Sequence, residues 1–363
     1  MTDTAPTPSR NLSSLQAGRA FAAILVVLFH DSESIFVLPK YWGDKPFGRL
    51  FDFGDSRVFF FFVLSGYIIF YAHCSDLDCP GRLASYAWKR FRRIYPIYWI
   101  VLLATLPAYF LISGFGFGFE KQPSVIVASF LLVHFDTTNA VMTVSWTLFH
   151  EILFYALFAL AIWRRRLGLT ILGAWFMLSF VSMATDHRSM LTGFYFSNVH
   201  LLFGLGIAAC WWVQRRSVPF PAAIVLLGAT IFLLAGADEI HRDHAASDWR
   251  TLAFGCGSML AMVGMVALEG SARLRVPAWL RLLGDASYSI YLVHFPVLSL
   301  LAKLAWASGA ARLLPVPAAY ILLAGLAVSA GVLCHLWIER PLLGLLGQKS
   351  GGAQRFRLGA ISP

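Results

Sequence analysis

Charge is what this chain has least of. Charged residues make up 13% of its 363 positions, and only 19 are acidic. An ordinary soluble domain carries about 25%. Hydrophobic residues reach 58% and the mean hydropathy is +0.67, so a soluble globular protein is excluded. Long polar stretches are also missing. The longest pieces between apolar runs lie near 35–53 and 74–94, too short for a separate soluble domain. Cysteine is scarce, at five. Cys210, Cys256 and Cys334 fall inside apolar runs, while Cys74 and Cys79 fall in a loop expected in the reducing cytoplasm. A disulfide framework is therefore not expected. The C-x4-C spacing is poor for a metal site, and no metal is expected. Residues 1–14 hold one Arg and no small-residue cleavage site after a short apolar region. No cleavable signal peptide is read there, and the first apolar run is expected to stay as a signal anchor. No short repeat of the solenoid type is present.

What is there in abundance is apolar runs of about 20 residues, the length that crosses a bilayer. Ten are expected to span, at 15–38, 54–73, 95–114, 143–163, 168–185, 194–213, 219–237, 251–269, 286–306 and 316–338. A shorter run, Ser124 to Phe135, is too short to cross and reads as re-entrant or interfacial. The fold class expected is thus an all-α polytopic membrane protein. Its parts are a segment 1–14, a transmembrane domain 15–341 and a Gly-rich polar tail 342–363, expected to be disordered.

The basic residues set an orientation. One set of loops holds Arg82, Lys89, Arg90, Arg92 and Arg93, Arg164 to Arg166, Arg215 and Arg216, Arg273, Arg275 and Arg281, and Arg340, Lys349, Arg355 and Arg357. The opposite loops hold far fewer. Lys and Arg mark the cytoplasmic side, so both termini are expected inside. The net charge of +10 follows from this topology. Spread over separate loops, it does not make a nucleic-acid surface.

Ionisable residues inside spans are rare and usually functional. Arg19 and His30 both fall in the first span. Eleven residues at about 100° each make three turns plus about 20°, so both lie on one helix face, about 16 Å apart. The fourth span carries Trp146, His150, Glu151 and Tyr155. The ninth carries Tyr288, Tyr291 and His294. The second carries Arg57, Ser65 and Gly66, and the tenth ends at Glu339 and Arg340. Counted from the span ends, His30 and Glu151 sit at similar depth, about 12 Å below the outer surface. Plainer readings exist for each. Arg19 snorkels to the interface, Glu151 pairs with Arg57 or His30, and His294 packs helices. Tyr and Trp at span ends form an interfacial belt, and KRFRR is a positive-inside stop signal.

Taken together and in order, these motifs resemble the acyltransferase-3 family of integral-membrane O-acyltransferases. The elements are Arg-x10-His as Arg19 and His30, GDSRVFFFFVLSGY at 54–67, KRFRRIYPIYW at 89–99, SWTLFHEILFY at 145–155, LGDASYSIYLVHFP at 283–296 and IERP at 338–341. The resemblance implies a bacterial inner-membrane enzyme that moves an acyl group, by default acetyl, from acyl-CoA (acetyl-CoA) to a hydroxyl of an exopolysaccharide or other exported glycan. It implies His30 as catalytic base or acyl relay, with Glu151 beside it. Arg19, Lys89, Arg90 and Arg93 would serve the acyl-CoA, and Ser65, Trp146, Tyr155, Tyr288 and His294 would line or support the site. A glycan or lipid-linked sugar acceptor, the bilayer and glycan-assembly proteins are the implied partners. Two positions depart from the family pattern: His150 precedes Glu151, and Tyr67 stands where Phe is frequent.

Two other functions fit parts of the chain. A proton-coupled transporter of a sugar or small metabolite would also have ten spans and intramembrane charge. A glycerolipid acyltransferase would use His73 and Asp78 as an H-x4-D pair, but no phosphate-binding glycine motif accompanies them.

Overall fold

The computed structural model describes residues 12–112, 116–134, 139–185, 190–241 and 248–348. Among them there is no strand. Ten helices are long and apolar enough to cross a membrane, and they coincide with the ten expected spans. The helices are α1 (Ser13–Asp31), α2 (Val58–His73), α3 (Leu83–Leu111), α4 (Pro123–Leu131), α5 (Trp146–Trp163), α6 (Arg165–Thr185) and α7 (Met190–Tyr195), followed by α8 (His200–Arg215), α9 (Pro221–His241), α10 (Asp248–Gly270), α11 (Ala278–Asp285), α12 (Ser287–Ala307), α13 (Val316–Cys334) and α14 (Arg340–Gln348).

The third span differs from expectation in length. It was read as 95–114, yet α3 begins at Leu83. The stretch LASYAWKRFRR has no Gly or Pro and is rich in good helix formers, so the helix continues past the apolar run. Lys89, Arg90 and Arg93 are therefore fixed on a helix rather than held in a loop. Helix α14 likewise carries the chain to Gln348, beyond residue 341, where the tail was expected to begin. Residues 1–11 and 349–363 lie outside the described residues.

Lipid offers no hydrophobic drive for helix pairing, so close approach of backbones at small residues matters more. Helices α2 and α8 meet in this way. A Cβ on Gly66 would run into the Phe203 carbonyl, and one on Gly206 into the Val63 carbonyl. The hydrogen side chains of these two glycines let α2 and α8 touch backbone to backbone.

The short apolar run 124–135 forms α4, nine residues long. Its last carbonyls would be orphaned at membrane depth. Three side chains of α3 satisfy them: Tyr98 donates to Ser129 O at 2.9 Å, Trp99 Nε1 to Phe130 O at 2.9 Å and Tyr95 to Leu131 O at 2.8 Å. The chain turns at Leu132 in the left-handed region, φ 52°. On its return Val141 O accepts from Tyr109, near the far end of α3. From Tyr109 to Tyr95 is about 21 Å along a helix, so the segment is re-entrant, hung along α3.

Helices α1 and α12 run parallel. Arg19 shares a pocket with Ser287 and Tyr288, while His30 packs on His294 and Phe295, seven residues further along. At the His30 end, Lys45 bridges Glu33 (2.5 Å) and Asp52 (3.1 Å), tying the end of the first span to the start of the second. Burial pulls the Lys45 ammonium down, but its two carboxylate partners outweigh this and hold it above its usual range.

Candidate active site

A narrow pocket of about 150 Å³ opens between α1, α2, α3, α5 and α12. Helical periodicity explains which side chains reach it. On α3, Arg90, Arg93 and Ile94 fall at i, i+3 and i+4. On α5, Thr147, Leu148, Glu151 and Tyr155 fall at i, i+1, i+4 and i+8, and on α2 Phe61, Phe62, Ser65 and Ile68 form one stripe. Five of the eleven residues expected at the site are on the cationic or carboxylate part of this lining: Arg19, Arg90, Arg93, Glu151 and Tyr155. Ser65 and Tyr288 line it as well.

Glu151 accepts hydrogen bonds on one oxygen, Oε1, from Ser65 Oγ at 2.7 Å and from the Tyr155 hydroxyl one turn along. The Tyr155 ring in turn carries Arg90, whose guanidinium carbon lies 5.8 Å from the ring centre. This is cation–π distance. Arg90 Nε is buried without a hydrogen-bond partner. Arg93 donates to Glu339 Oε1 at 2.8 Å and sits over the Tyr288 ring at 5.7 Å. Glu339 is fully engaged, because Ser289 Oγ donates to its other oxygen at 2.7 Å and His335 Nδ1 lies 2.8 Å from it. Arg19 donates to Gln16 at 2.9 Å. Three guanidinium groups thus converge on one small volume.

The remaining expected residues stand elsewhere. Lys89, next to Arg90 on α3, points off the face that lines the pocket, as one helix position of 100° requires. Trp146 belongs to a second cavity on the other side of α5. His30 and His294 lie beyond the pocket, with ring centres 5.2 Å apart. His30 Nδ1 is 3.3 Å from Ser34 Oγ. His294 Nδ1 is 3.1 Å from the Ile290 carbonyl, which can only accept, so Nδ1 carries the proton. Its Nε2 is then the acceptor nitrogen, buried and without a partner. Arg57, weighed as a partner of Glu151, lies outside the residues whose side chains are described.

Three further groups were not among the expected site residues, although the sequence places Tyr291 and Glu339 in their spans. Tyr291 lines the pocket, lies 2.8 Å from Thr147 Oγ1 and has its ring centre 6.0 Å from that of His294. It reaches from the pocket toward the histidine pair. The spacing of Tyr291 and His294, three residues on one helix, was the available signal. Asp31, beside His30, is fully buried with neither oxygen hydrogen-bonded. Glu339 was visible in IERP, but nothing in the sequence joins it to Arg93. The H-x4-D pair is not formed: His73 Nδ1 is 2.7 Å from Asp76, and Asp78 accepts instead from the Arg165 amide.

The comparisons with known proteins agree on a family. The family described as "Acyltransferase domain" matches residues 12–336. The exopolysaccharide production protein ExoZ of Rhizobium meliloti (strain 1021) is 28% identical over 324 residues, covering 86% of this chain and 95% of its own. Acyltransferase MdmB of Streptomyces mycarofaciens is 26% identical over 384 aligned positions, covering 93% of each chain. No solved structure matches. The family match takes in all the helices that build the pocket, and the chain belongs to the acyltransferase-3 family of membrane acyltransferases.

Proposed function

We propose that this acyltransferase moves an acyl group, acetyl by default, from cytoplasmic acyl-CoA to a hydroxyl of an exported or surface glycan, with His30 as the catalytic group. The observation that carries this reading is the convergence of Arg19, Arg90 and Arg93 on one narrow pocket, with Arg90 Nε left without an acceptor. Guanidinium groups bind phosphate oxygens through paired, charge-assisted hydrogen bonds. The residues present therefore fit the phosphates of coenzyme A, and a pocket of about 150 Å³ suits a thin chain better than a nucleotide.

In this reading both termini face the cytoplasm, in a bacterial inner membrane, and the arginines form the inner mouth. When bound, acyl-CoA supplies an activated thioester carbonyl. Tyr155 and Ser65 hold Glu151 in place. Tyr291 and His294 mark the route from the pocket to His30. His30 takes the proton from the attacking sugar hydroxyl as the new C–O bond forms, and the departing thiolate is protonated as the C–S bond breaks. A covalent route, in which His30 first takes the acyl group, uses the same residues. Exclusion of water between the spans protects the thioester. The carrier reading has no matching feature in the family comparisons.

The test is transfer itself. The full chain in lipid nanodiscs is given radiolabelled acetyl-CoA and surface polysaccharide from the producing strain, stripped of its O-acyl groups by mild alkali. Mass spectrometry should find acetyl esters with the wild type and none with His30→Ala. Esters formed equally by His30→Ala would remove His30 from the chemistry. Acetyl-CoA left untouched by the wild type would remove the donor.

A further inference from the structure

A second cavity, of about 540 Å³, lies against the opposite side of α5. It falls in the size range of small-molecule sites, and the donor pocket does not use it. Its walls come from the connections α3–α5 and α6–α8, at the end of the bundle where α5 and α8 begin. That is the end away from the α3 N-terminus. The re-entrant segment supplies His134 and Asn139, the start of α5 supplies Trp146, Phe149 and His150, and the other connection supplies Phe194 and Ser197. Irregular backbone at membrane depth is tolerated where it is buried in protein or lines a water-filled cavity. Here α3 holds it there with three donors.

We propose that this cavity binds a sugar ring of the acceptor glycan. The proposal rests on the acyl-transfer reading above for its biological sense, and on the chemistry of the walls for its substance. Broad aromatic faces (Trp146, Phe149, Phe194) alternate with planar or hydroxyl polar groups (Asn139, His150, Ser197). A pyranose has that same division, with apolar C–H faces and a rim of hydroxyls. An acyl tail would match only the aromatic faces, whereas a hydroxyl-bearing ring also matches the polar groups set among them on the wall. The polar groups are also braced. His150 Nδ1 is 2.8 Å from His200 Nε2, and the His134 ring stacks on Phe194 with centres 4.1 Å apart. The width of α5 separates this cavity from the donor pocket. Trp146, Phe149 and His150 face the cavity, and Thr147, Leu148 and Glu151 face the pocket.

The experiment measures binding without transfer. Oligosaccharide released from the producing strain's polysaccharide and stripped of O-acyl groups is titrated into nanodisc-embedded full-length protein with no acyl donor present. Wild type should bind. Trp146→Ala and Asn139→Ala should each weaken binding by at least tenfold, while coenzyme A competition stays within twofold. Asn139→Ala is a small change at an exposed position, which keeps the test valid if Trp146→Ala lowers stability. Absence of wild-type binding, or binding unchanged in both variants, overturns the proposal. So does loss of coenzyme A competition in parallel. Oligosaccharide binding that both variants lose, in a protein that never acetylates the oligosaccharide, would leave this site standing and remove the acyl-transfer reading.

Discussion

Arg93 and Glu339, 246 residues apart in sequence, form an ion pair of 2.8 Å that joins α3 to the end of the last transmembrane helix. Glu339 is 1% exposed and Arg93 33%. The pair therefore does two things. It fixes the register of α3 beside α12 and the tenth span, and it neutralises part of the cationic pocket. Arg90 and Arg93, equivalent in the sequence motif, are not equivalent in the structure.

Arg93→Ala leaves the buried Glu339 carboxylate with Ser289 and His335 but without its guanidinium partner. The cost of breaking a buried pair is reduced here by the exposure of the arginine, to about 2 kcal/mol. Thermal unfolding in detergent should show a lowered midpoint for Arg93→Ala and a smaller drop for Glu339→Gln, which keeps the hydrogen-bonding shape. A midpoint equal to wild type in Arg93→Ala would mean the pair adds nothing.

Arg90 is expected to act on the donor rather than on stability. Arg90→Ala should weaken coenzyme A competition by about tenfold or more, the worth of a charge-assisted hydrogen bond. Arg90→Lys should restore only part of it, because an ammonium cannot make the paired contact. Wild-type competition should fall as salt rises. Salt-independent competition would place the phosphates elsewhere.

Removal of a general base typically costs about 10²–10⁴-fold in rate. His30→Ala should lose transfer on that scale while remaining in the membrane, as fractionation would show. If Glu151 works with His30, Glu151→Gln added to His30→Ala should lose little further activity. Independent, multiplicative losses would confine Glu151 to the donor pocket with Ser65 and Tyr155.

Ser65 and Tyr155 donate to the same oxygen of Glu151. Ser65→Ala and Tyr155→Phe should therefore be non-additive in transfer rate, with a coupling of about 0.5–3 kcal/mol. Additive losses would show that the two donors act separately.

Gly66→Ala and Gly206→Ala each push a methyl group into a backbone carbonyl of the facing helix. Neither carbonyl can swing aside, so overpacking should cost about 1–3 kcal/mol or more. Both variants should express poorly or melt early. Gly173→Ala, whose added Cβ meets nothing within 4 Å, is the control expected to behave as wild type.

The ten spans were legible because lipid imposes length and polarity on every crossing helix, and the apolar runs record both. The face shared by Arg19 and His30 was legible too, since helical angle is fixed by spacing, and both residues do meet α12. What escaped was everything set by contact between distant spans. The partner of Arg93 lies 246 residues away, and no local pattern points to it. The start of α3 escaped because hydropathy ends at residue 95 while helix propensity does not. The position of His30 beyond the pocket, with Tyr291 between, depends on how α1 lies along α12. A two-residue spacing argument contains no such information.

The re-entrant segment constrains how the molecule is made. Residues 116–134 follow α3 and do not form a span of their own, because α4 has only nine residues. Their backbone becomes tolerable inside the bundle only when Tyr95, Tyr98 and Trp99 are already waiting on a seated α3. The segment can take its place only after its neighbour is seated. Assembly is therefore ordered in time. A chain whose α3 is not yet seated leaves the carbonyls of Ser129, Phe130 and Leu131 without their donors.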